Sequence, residues 1–377
     1  MTVSHARAFE TKVNIVRPVL PPLEELQDSI EKIFASKMVT KGPYVAEFER
    51  EVAAHLGVRN AVALGSCTAG LMLTYKALGL TGEVIVPSFT FMATVSSIVW
   101  AGLTPVFVDV RATTTNLNPE VVERAITPRT SAIVAVHNFG NPAEVDALET
   151  IAKKHGLRLI FDAAHGFGAL YRGVPIGRQG DASSFSLSPT KLLLAGEGGI
   201  VSTDNDELAR LLRIGREYGM ENYNTVFPGF NSRMPELNAL IGLHSLRRLE
   251  TAARNRTEYA RRYNERLGRL PGVMVQSVDA RDRCSYKDYS IVVDAAAFGI
   301  TRDALADALT AENIDNRKYY APAVHKHPPY AQYVQKDTQL PETDRLERDS
   351  LSLPIWSEMP LEVIDRICDC IERLAGR

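Results

Sequence analysis

The chain has 377 residues, 45% of them hydrophobic, and its 43 lysines and arginines against 45 aspartates and glutamates give a net charge of -2. The balance lacks the basic excess of a protein that binds nucleic acid or an anionic membrane, so we expect a small-molecule ligand. The length is sufficient for a large core and, at about 150 residues per domain, predicts two domains.

The cysteines and the N-terminus indicate a cytoplasmic protein. The first twelve residues lack an apolar segment, and no later run approaches the ~18 apolar residues of a membrane-spanning helix. Cys67, Cys284, Cys368 and Cys370 are too few and too scattered for a disulfide framework, which suits a reducing compartment. Cys368 and Cys370 are two residues apart and do not share a helix face, so we expect no metal site there.

The first two thirds of the chain alternate between helices and short apolar strands. Apolar spacing predicts helices over residues 23–34 and 45–56, and then a strand from Asn60 that turns into a helix. Further elements of this alternation are predicted at 84–87, 90–100, 105–109, 119–125, 132–136, 144–155 and 157–162. Continuous apolar strands separated by helices indicate an α/β fold whose mostly parallel sheet is covered on both faces.

The last third predicts a smaller α+β domain. A long helical pattern opens near Gly229 and runs to about Leu267, long enough to bridge two domains. It is followed by an alternating segment, a helix, a polar loop and a terminal helix, predicted at 286–293, 301–311, 316–330 and 361–374. We therefore predict a large domain over 1–245, which includes the N-terminal helix, and a small domain over 246–377.

Lys191 is the main candidate for chemistry. The segment from Asp181 has strand character, breaks at Pro189, and resumes as a strand at Gly199. A lone lysine is commonly a solvated surface charge. Here the apolar residues 192–194 predict a partly desolvated amine, whose lowered pKa would make it a nucleophile able to form a Schiff base.

Other candidate residues lie where predicted strands end. In parallel sheets ligands gather beyond the carboxyl ends of the strands, so residues 66–68, 89–91, 162–165 and 186–191 could share one cleft. The small-residue turn at 66–68 would aim backbone amides at an anion such as a phosphate, although such residues also form plain turns. Asp162 could cap the next element or hold a pyridinium nitrogen protonated.

Four motifs together resemble the DegT-type sugar aminotransferases, which have the aspartate aminotransferase fold. They are the Asp162-Ala-Ala-His165 segment, the five-residue spacing of Ser186 and Lys191, the sequence at 196–199, and Gly229-Phe-Asn-Ser-Arg233. The match covers roughly residues 20 to 360. It implies a fold-type I enzyme that uses pyridoxal 5'-phosphate, with a sheet of the seven-stranded type in the large domain and a small C-terminal domain.

The resemblance assigns roles around the cofactor ring. Lys191 resembles the lysine of the internal aldimine, Asp162 the partner of the pyridine nitrogen, and His165 the residue beside the ring. Phe91 stands where the family stacks an aromatic side chain on the cofactor. Relatives that remove a sugar hydroxyl carry histidine in place of this lysine, so Lys191 favours transamination through the internal aldimine and pyridoxamine phosphate.

The resemblance also implies a phosphate site that two subunits share. Ser66, Cys67, Thr68 and Ser186 match the residues around the phosphate, and Asn231 matches a residue that reaches the cofactor of the neighbouring subunit. This implies a homodimer with shared active sites. The family usually has glycine immediately before the threonine, where this chain has Cys67. A side chain at this position would narrow the approach of the backbone to the phosphate, so we expect the Cys67 side chain to point away from the phosphate.

The segments at 80–87, 100–107 and 319–325 look most like those of the aminotransferases of nucleotide-linked 4-keto-6-deoxyhexoses. The implied reaction transfers an amino group from glutamate to C4 of a sugar of the dTDP-4-keto-6-deoxyglucose type, for an antibiotic or a surface polysaccharide. Arg233, Tyr319, Tyr320 and His325 are the candidate substrate-binding residues, unless they only pack against neighbouring side chains or face solvent.

Three alternatives remain open. The acceptor can be a C3-keto sugar or a keto-cyclitol, or the protein can be a non-catalytic regulator that binds the cofactor or a sugar. A nicotinamide dehydrogenase is disfavoured because no G-x-G-x-x-G follows the first strand.

Overall fold

The computed structural model describes residues 7–375 and has a seven-stranded sheet, a three-stranded sheet, two short two-stranded sheets, and helices. The helices are α1 Leu23–Ser36, α2 Pro43–Leu56, α3 Cys67–Ala77, α4 Met92–Trp100, α5 Pro119–Arg124, α6 Val145–His155, α7 Asp206–Gly215, α8 Glu236–Leu267, α9 Ala295–Phe298, α10 Arg302–Ala311, α11 Pro328–Ala331, α12 Pro341–Asp349 and α13 Leu361–Glu372. The strands are β1 Asn60–Leu64, β2 Glu83–Pro87, β3 Thr104–Val108, β4 Thr130–Val136, β5 Arg158–Asp162, β6 Leu170–Tyr171, β7 Val174–Pro175, β8 Ala182–Ser186, β9 Gly199–Thr203, β10 Met220–Glu221, β11 Asn224–Thr225, β12 Val273–Val275, β13 Tyr289–Val293 and β14 Ser350–Leu353.

The large sheet has seven strands in the order β1-β9-β8-β5-β4-β2-β3. The neighbours from β8 through β3 pair in parallel, whereas β9 is antiparallel to both β8 and β1. All strands except β9 therefore run in one direction, and their carboxyl ends meet at one edge. The predicted α/β class with a mostly parallel sheet is confirmed.

Helices cover both faces of the sheet, which explains its continuous apolar strands. Val84 and Val86 of β2 pack in the cluster that contains residues of α3 and α4, and Ile85 between them packs with residues of α5 and α6. Successive side chains of a strand point to opposite faces. Because both faces are buried, each position of such a strand favours an apolar residue.

The smaller sheet is antiparallel in the order β12-β13-β14. Its core is formed with α8, α10 and α13, and it also takes in Phe9 and Val13 from the N-terminal segment. The predicted α+β arrangement is therefore present. Helix α8 runs unbroken through residue 245, so the division of the chain at that residue stays a prediction.

Several elements near the C-terminus differ from the prediction. The segment 316–330 was predicted as a loop, but it contains a 3-10 turn at Val324–Lys326 and the short helix α11. Helix α12 and strand β14 were not predicted, and neither was α7. Both α11 and α12 begin with proline, which suits a first helical turn. Their apolar residues are too few to give a helical period.

No helix within residues 7–375 is long and apolar enough to cross a membrane. In the same range, no group of three or more histidine, cysteine and acidic side chains is placed to hold a metal ion. The four cysteines are free thiols and all are buried.

Glu236 joins the start of α8 to the start of α2. Its buried carboxylate accepts hydrogen bonds from the backbone amides of Gly42 at 2.9 Å, Tyr44 at 2.9 Å and Val45 at 3.1 Å. These amides belong to the N-cap and the first turn of α2, where backbone N–H groups have no acceptor within the helix. A Cβ at Gly42 would lie 2.6 Å from Glu236 Oε2, so glycine leaves the room that this contact needs.

We predict that Glu236→Ala lowers the free energy of unfolding by about 2–4 kcal/mol, because it leaves three amides unpaired and two of them buried. Denaturant titration at one protein concentration measures the change. Glu265→Ala is the matched control on α8, since the side chain of Glu265 is 41% exposed and pairs with Arg261 one turn away, and it should cost less than about 0.5 kcal/mol. Equal stability of the two variants would contradict the assigned role.

Candidate active site

A cavity of about 330 Å³ opens at the carboxyl edge of the large sheet. It brings together most of the predicted site residues, namely Ser66, Cys67, Thr68, Phe91, Asp162, His165, Ser186, Lys191, Tyr319 and Tyr320. They come from the segments after β1, β2, β5 and β8 and from the loop before α11. The expectation that strand ends share one cleft is met for these residues.

Three predicted residues lie outside the lining of this cavity. Asn231 is exposed, and its Oδ1 accepts a hydrogen bond from Arg233 Nε at 3.3 Å. Arg233 in turn lies over the ring of Tyr218, 5.9 Å from its centroid. His325 Nδ1 is 2.6 Å from Ser88 Oγ, which also accepts the His325 amide at 3.0 Å. His325 is therefore held by the segment after β2 rather than placed on the cavity wall.

Asp162 is the last residue of β5 and lies at the base of the cavity. Its Oδ2 accepts from Thr94 Oγ1 at 2.7 Å, and its Oδ1 accepts from the amide of Ala164 at 3.1 Å. Burial raises the pKa of Asp162, whereas these two donors and the nearby Lys191 lower it. The two alternatives for this residue are compatible, because one oxygen binds the following turn while the carboxyl group still faces the cavity.

Lys191 lies in the loop that joins β8 to β9, whose ends pair at Ser186 and Gly199. Two features hold the loop in place. The amide of Lys191 donates a hydrogen bond to Ser188 O at 3.0 Å, and the side chains of residues 192–195 are buried. Burial lowers the pKa of Lys191 to about 8, and the charge of Lys287 adds to the effect. The predicted partial desolvation of this amine is therefore present.

His165 is fixed as a neutral ring. Its Nδ1 accepts the backbone amide of Phe139 at 3.2 Å, which leaves the proton on Nε2. Burial, with smaller contributions from Lys191 and Lys287, lowers its pKa well below the usual value. The imidazole can therefore act as a hydrogen-bond donor at Nε2 without carrying charge.

The start of α3 forms an anion cradle at the cavity wall. Ser66 caps the helix by accepting the amide of Ala69 at 3.1 Å, and the amides of Cys67 and Thr68 find no acceptor within residues 7–375. A Cβ at Gly199 would lie 2.4 Å from the carbonyl carbon of Ser66, so a glycine is required where β9 passes this turn. Free amides at a helix start suit a phosphate group.

Cys67 does not extend from the cradle into solvent. Its Sγ lies 3.4 Å from both the carbonyl and the hydroxyl oxygen of Ser184 and 3.9 Å from Asp162 Oδ1. Burial raises the pKa of this thiol, so it stays protonated. The side chain packs beside β8, as expected for a residue that replaces glycine here.

The sequence did not single out Thr94 or the pair Lys287 and Asp288. Lys287 Nζ binds both carboxylate oxygens of Asp288, at 2.8 and 3.0 Å, in the cavity wall. Two adjacent opposite charges just before the buried strand β13 are a signal that could have identified the pair. Thr94 offered no such signal, because its bond to Asp162 joins residues 68 positions apart.

The fold and site agree with comparisons to known proteins. A profile described as the DegT/DnrJ/EryC1/StrS aminotransferase family matches residues 23–372. The spore coat polysaccharide biosynthesis protein SpsC of Bacillus subtilis is 37% identical over 92% of this chain and 93% of its own length. The dTDP-4-amino-4,6-dideoxy-D-glucose transaminase of Escherichia coli is 33% identical over 94% of this chain and 96% of its own length.

A solved structure is similar over nearly the whole chain. The crystal structure of DesI in the presence of its TDP-sugar product is 39% identical and superposes with a TM-score of 0.93 over 99% of this chain and 95% of DesI. The similarity includes the large sheet, the smaller sheet and the helix that joins them.

We predict that Lys191 in the cofactor-free protein reacts with amine reagents at a lower pH than an ordinary lysine. Burial disfavours the ammonium, so the neutral amine accumulates as the pH rises through about 8. Reductive methylation followed by peptide mass spectrometry should show a rate that levels off above pH 8. A lysine peptide in the same mixture, with a pKa of about 10.4, is the control. The same pH dependence for both amines would contradict the prediction.

Proposed function

Because the chain belongs to the DegT/DnrJ/EryC1/StrS aminotransferase family, we propose that it transfers the amino group of glutamate to C4 of a nucleotide-linked 4-keto-6-deoxyhexose. The family uses pyridoxal phosphate, and this chain is a sugar aminotransferase. The acceptor we propose is of the dTDP-4-keto-6-deoxyglucose type. Its main support is the Escherichia coli relative, whose name specifies a dTDP-linked 4-amino sugar and which matches 94% of the chain.

The residues present fit pyridoxal phosphate in chemistry and in placement. When bound, the cofactor supplies an aldehyde carbon that bonds to amines and a ring that withdraws electrons from the carbon next to the bound nitrogen. The amides of Cys67 and Thr68, with the hydroxyl of Ser186, would hold its phosphate. The carboxylate of Asp162 would accept a hydrogen bond from the protonated ring nitrogen, and His165 would lie beside the ring. The exposed ring of Phe91 would cover it from the cavity mouth.

Lys191 has two tasks in this proposal. Its amine would hold the cofactor, and the same amine, when free, would take the proton from Cα of the donor and give it back to the cofactor. Both tasks need the neutral amine, and the lowered pKa of Lys191 makes this form more abundant near neutral pH than it is for an ordinary lysine. A histidine could move the proton but could not hold the cofactor as a Schiff base.

Asp162 is suited to hold a protonated ring nitrogen. Burial alone would favour its neutral acid, and a cation placed against it restores the carboxylate. The bonds from Thr94 and Ala164 leave the carboxyl group in one orientation. The pair of a buried carboxylate and a ring cation would keep the ring electron-withdrawing throughout the reaction.

The proposal includes a homodimer in which Asn231 serves the active site of the partner subunit. Asn231 is exposed and lies outside the cavity of its own chain, which accords with a role across an interface. Exposed apolar side chains occur at the end of α1, in the segment before Asn231 and on α8, namely Phe34, Met38, Val39, Tyr218, Met220, Tyr223, Val226 and Leu237. Exposed apolar groups of this kind are typical of an interface.

We predict that the purified holoenzyme is yellow, loses this absorbance on addition of glutamate, and regains it when a dTDP-4-keto-6-deoxyhexose is added. Mass spectrometry should then detect the 4-amino sugar. Lys191→Ala should lower the rate of proton transfer by at least about 10³-fold, because the amine that moves the proton is lost. Turnover with a 3-keto nucleotide sugar or a keto-cyclitol, and none with 4-keto sugars, would overturn the proposed acceptor.

We predict a solution mass of twice the 41.5 kDa of one chain, measured by light scattering.

Lys191→Ala and Asn231→Ala should each be inactive alone. In a hybrid dimer of the two variants one site combines both defects and the other combines neither. Co-expression at equal amounts should therefore restore about a quarter of the wild-type activity. If the hybrid restores nothing, Asn231 acts within its own subunit.

A further inference from the structure

Lys287 and Asp288 form an ion pair that the reaction described above does not use. The side chains are 7% and 6% exposed, and both line the cavity that contains Lys191. Among residues 7–375, the two oxygens of Asp288 are the only hydrogen-bond partners of Lys287 Nζ. The third N–H of the ammonium therefore has no acceptor from the described chain.

The backbone segment that carries the pair is anchored by hydrogen bonds. Arg256 of α8 is 2% exposed, and its Nη1 donates to the carbonyl oxygens of Tyr286 at 3.0 Å and Lys287 at 2.9 Å. The amide of Lys287 donates to Phe139 O at 2.9 Å. The Nζ lies 5.7 Å from the centre of the Tyr319 ring. The backbone that carries the pair is thus held by Arg256 and Phe139.

Stability alone does not account for the pair. Removing two charges from water costs several kcal/mol per ion, and their attraction barely repays this cost, so apolar residues would serve packing as well. Buried charges that line a cleft are more often functional. The position of this pair in the same cavity as Lys191 therefore suggests a role in binding.

The charges of the cavity show which ligand Lys287 suits. In the described part of the chain, the acidic side chains on the cavity wall are Asp162, Glu197 and Asp288, and the lysines are Lys191 and Lys287. His165 also lines the cavity, but its lowered pKa keeps it neutral. Lys191 is used for the cofactor. An amino-acid donor brings its carboxylate close to the reacting carbon, so it needs a cation other than Lys191.

We propose that the ammonium of Lys287 binds a carboxylate of the amino donor, and that Asp288 neutralises the same ammonium while the keto sugar occupies the site. The inference rests on the proposed reaction only in assuming an amino-acid donor. The two substrates enter one cavity in turn, the first with a carboxylate at the reacting carbon and the second with an uncharged sugar ring. A pair that offers a hydrogen bond without net charge can accommodate both.

The test measures the affinity for a carboxylate directly. Calorimetric titration of the holoenzyme with glutarate, which has no amino group to react, gives its dissociation constant. Lys287→Met should raise that constant, and the glutamate concentration for half-maximal bleaching, by 10- to 100-fold, as expected for a lost charge-assisted bond. The keto-sugar concentration that gives half of the maximal rate should change by less than about threefold.

Asp288→Asn should act in the opposite direction. It keeps the cation but removes the charge that neutralises it, so glutarate should bind more tightly than to the wild type. Lys154→Met, which removes an exposed lysine paired with Glu123, is the control and should leave both constants unchanged. Weaker glutarate binding in Asp288→Asn would overturn the neutralising role of Asp288.

Stability is measured for each variant, because Lys287→Met leaves a buried carboxylate unpaired. If that variant does not fold, Lys287→Met combined with Asp288→Asn removes both charges and takes its place in the same titrations. Unchanged glutarate affinity in a folded variant, or an equal loss for glutarate and keto sugar, would refute the inference. A wild-type protein that does not bleach with glutamate would instead refute the proposed donor.

Discussion

Parallel strands that lie side by side end at the same edge of a sheet, and the active-site cavity depends on this constraint. The ends of β1, β2, β5 and β8 meet there, and the chain places a short functional segment after each one. Strand β9 runs the other way and pairs with β8, which folds the intervening loop back over the edge with Lys191 on it. The strand pairing thus brings together residues that are far apart in sequence.

Burial in the cavity favours the neutral forms of Asp162, His165 and Lys191. Burial raises the pKa of Asp162 and lowers those of His165 and Lys191, each in the direction that removes charge from a medium of low dielectric. Pyridoxal phosphate, which the family uses, would bring a phosphate anion and a ring cation into this cavity. The amides of α3 and the carboxylate of Asp162 are the groups that would face them.

The smaller sheet contributes to the cavity as well as to stability. The segment before β13 carries Lys287 and Asp288, and the chain near Tyr319 and Tyr320 forms another part of the wall. Arg256 links α8 to that segment through two backbone carbonyls, so the long helix that joins the two sheets also positions the ion pair. The site is thus assembled from both parts of the chain, with Asn231 left on the surface near exposed apolar residues.

The sequence by itself determined the fold class and the local motifs of the cavity. Strand, turn and lysine follow one another between Asp181 and Gly199, and Asp162 ends its own strand, so short-range patterns were sufficient. Only the tertiary structure decided what these groups contact. Thr94 reaches Asp162 across 68 positions, the Lys287 pair enters from the smaller sheet, and His325 turns to Ser88. Hydrophobic periodicity records which face of an element is buried, but a polar contact between distant segments depends on strand order and crossing geometry, which leave no periodic trace in the chain.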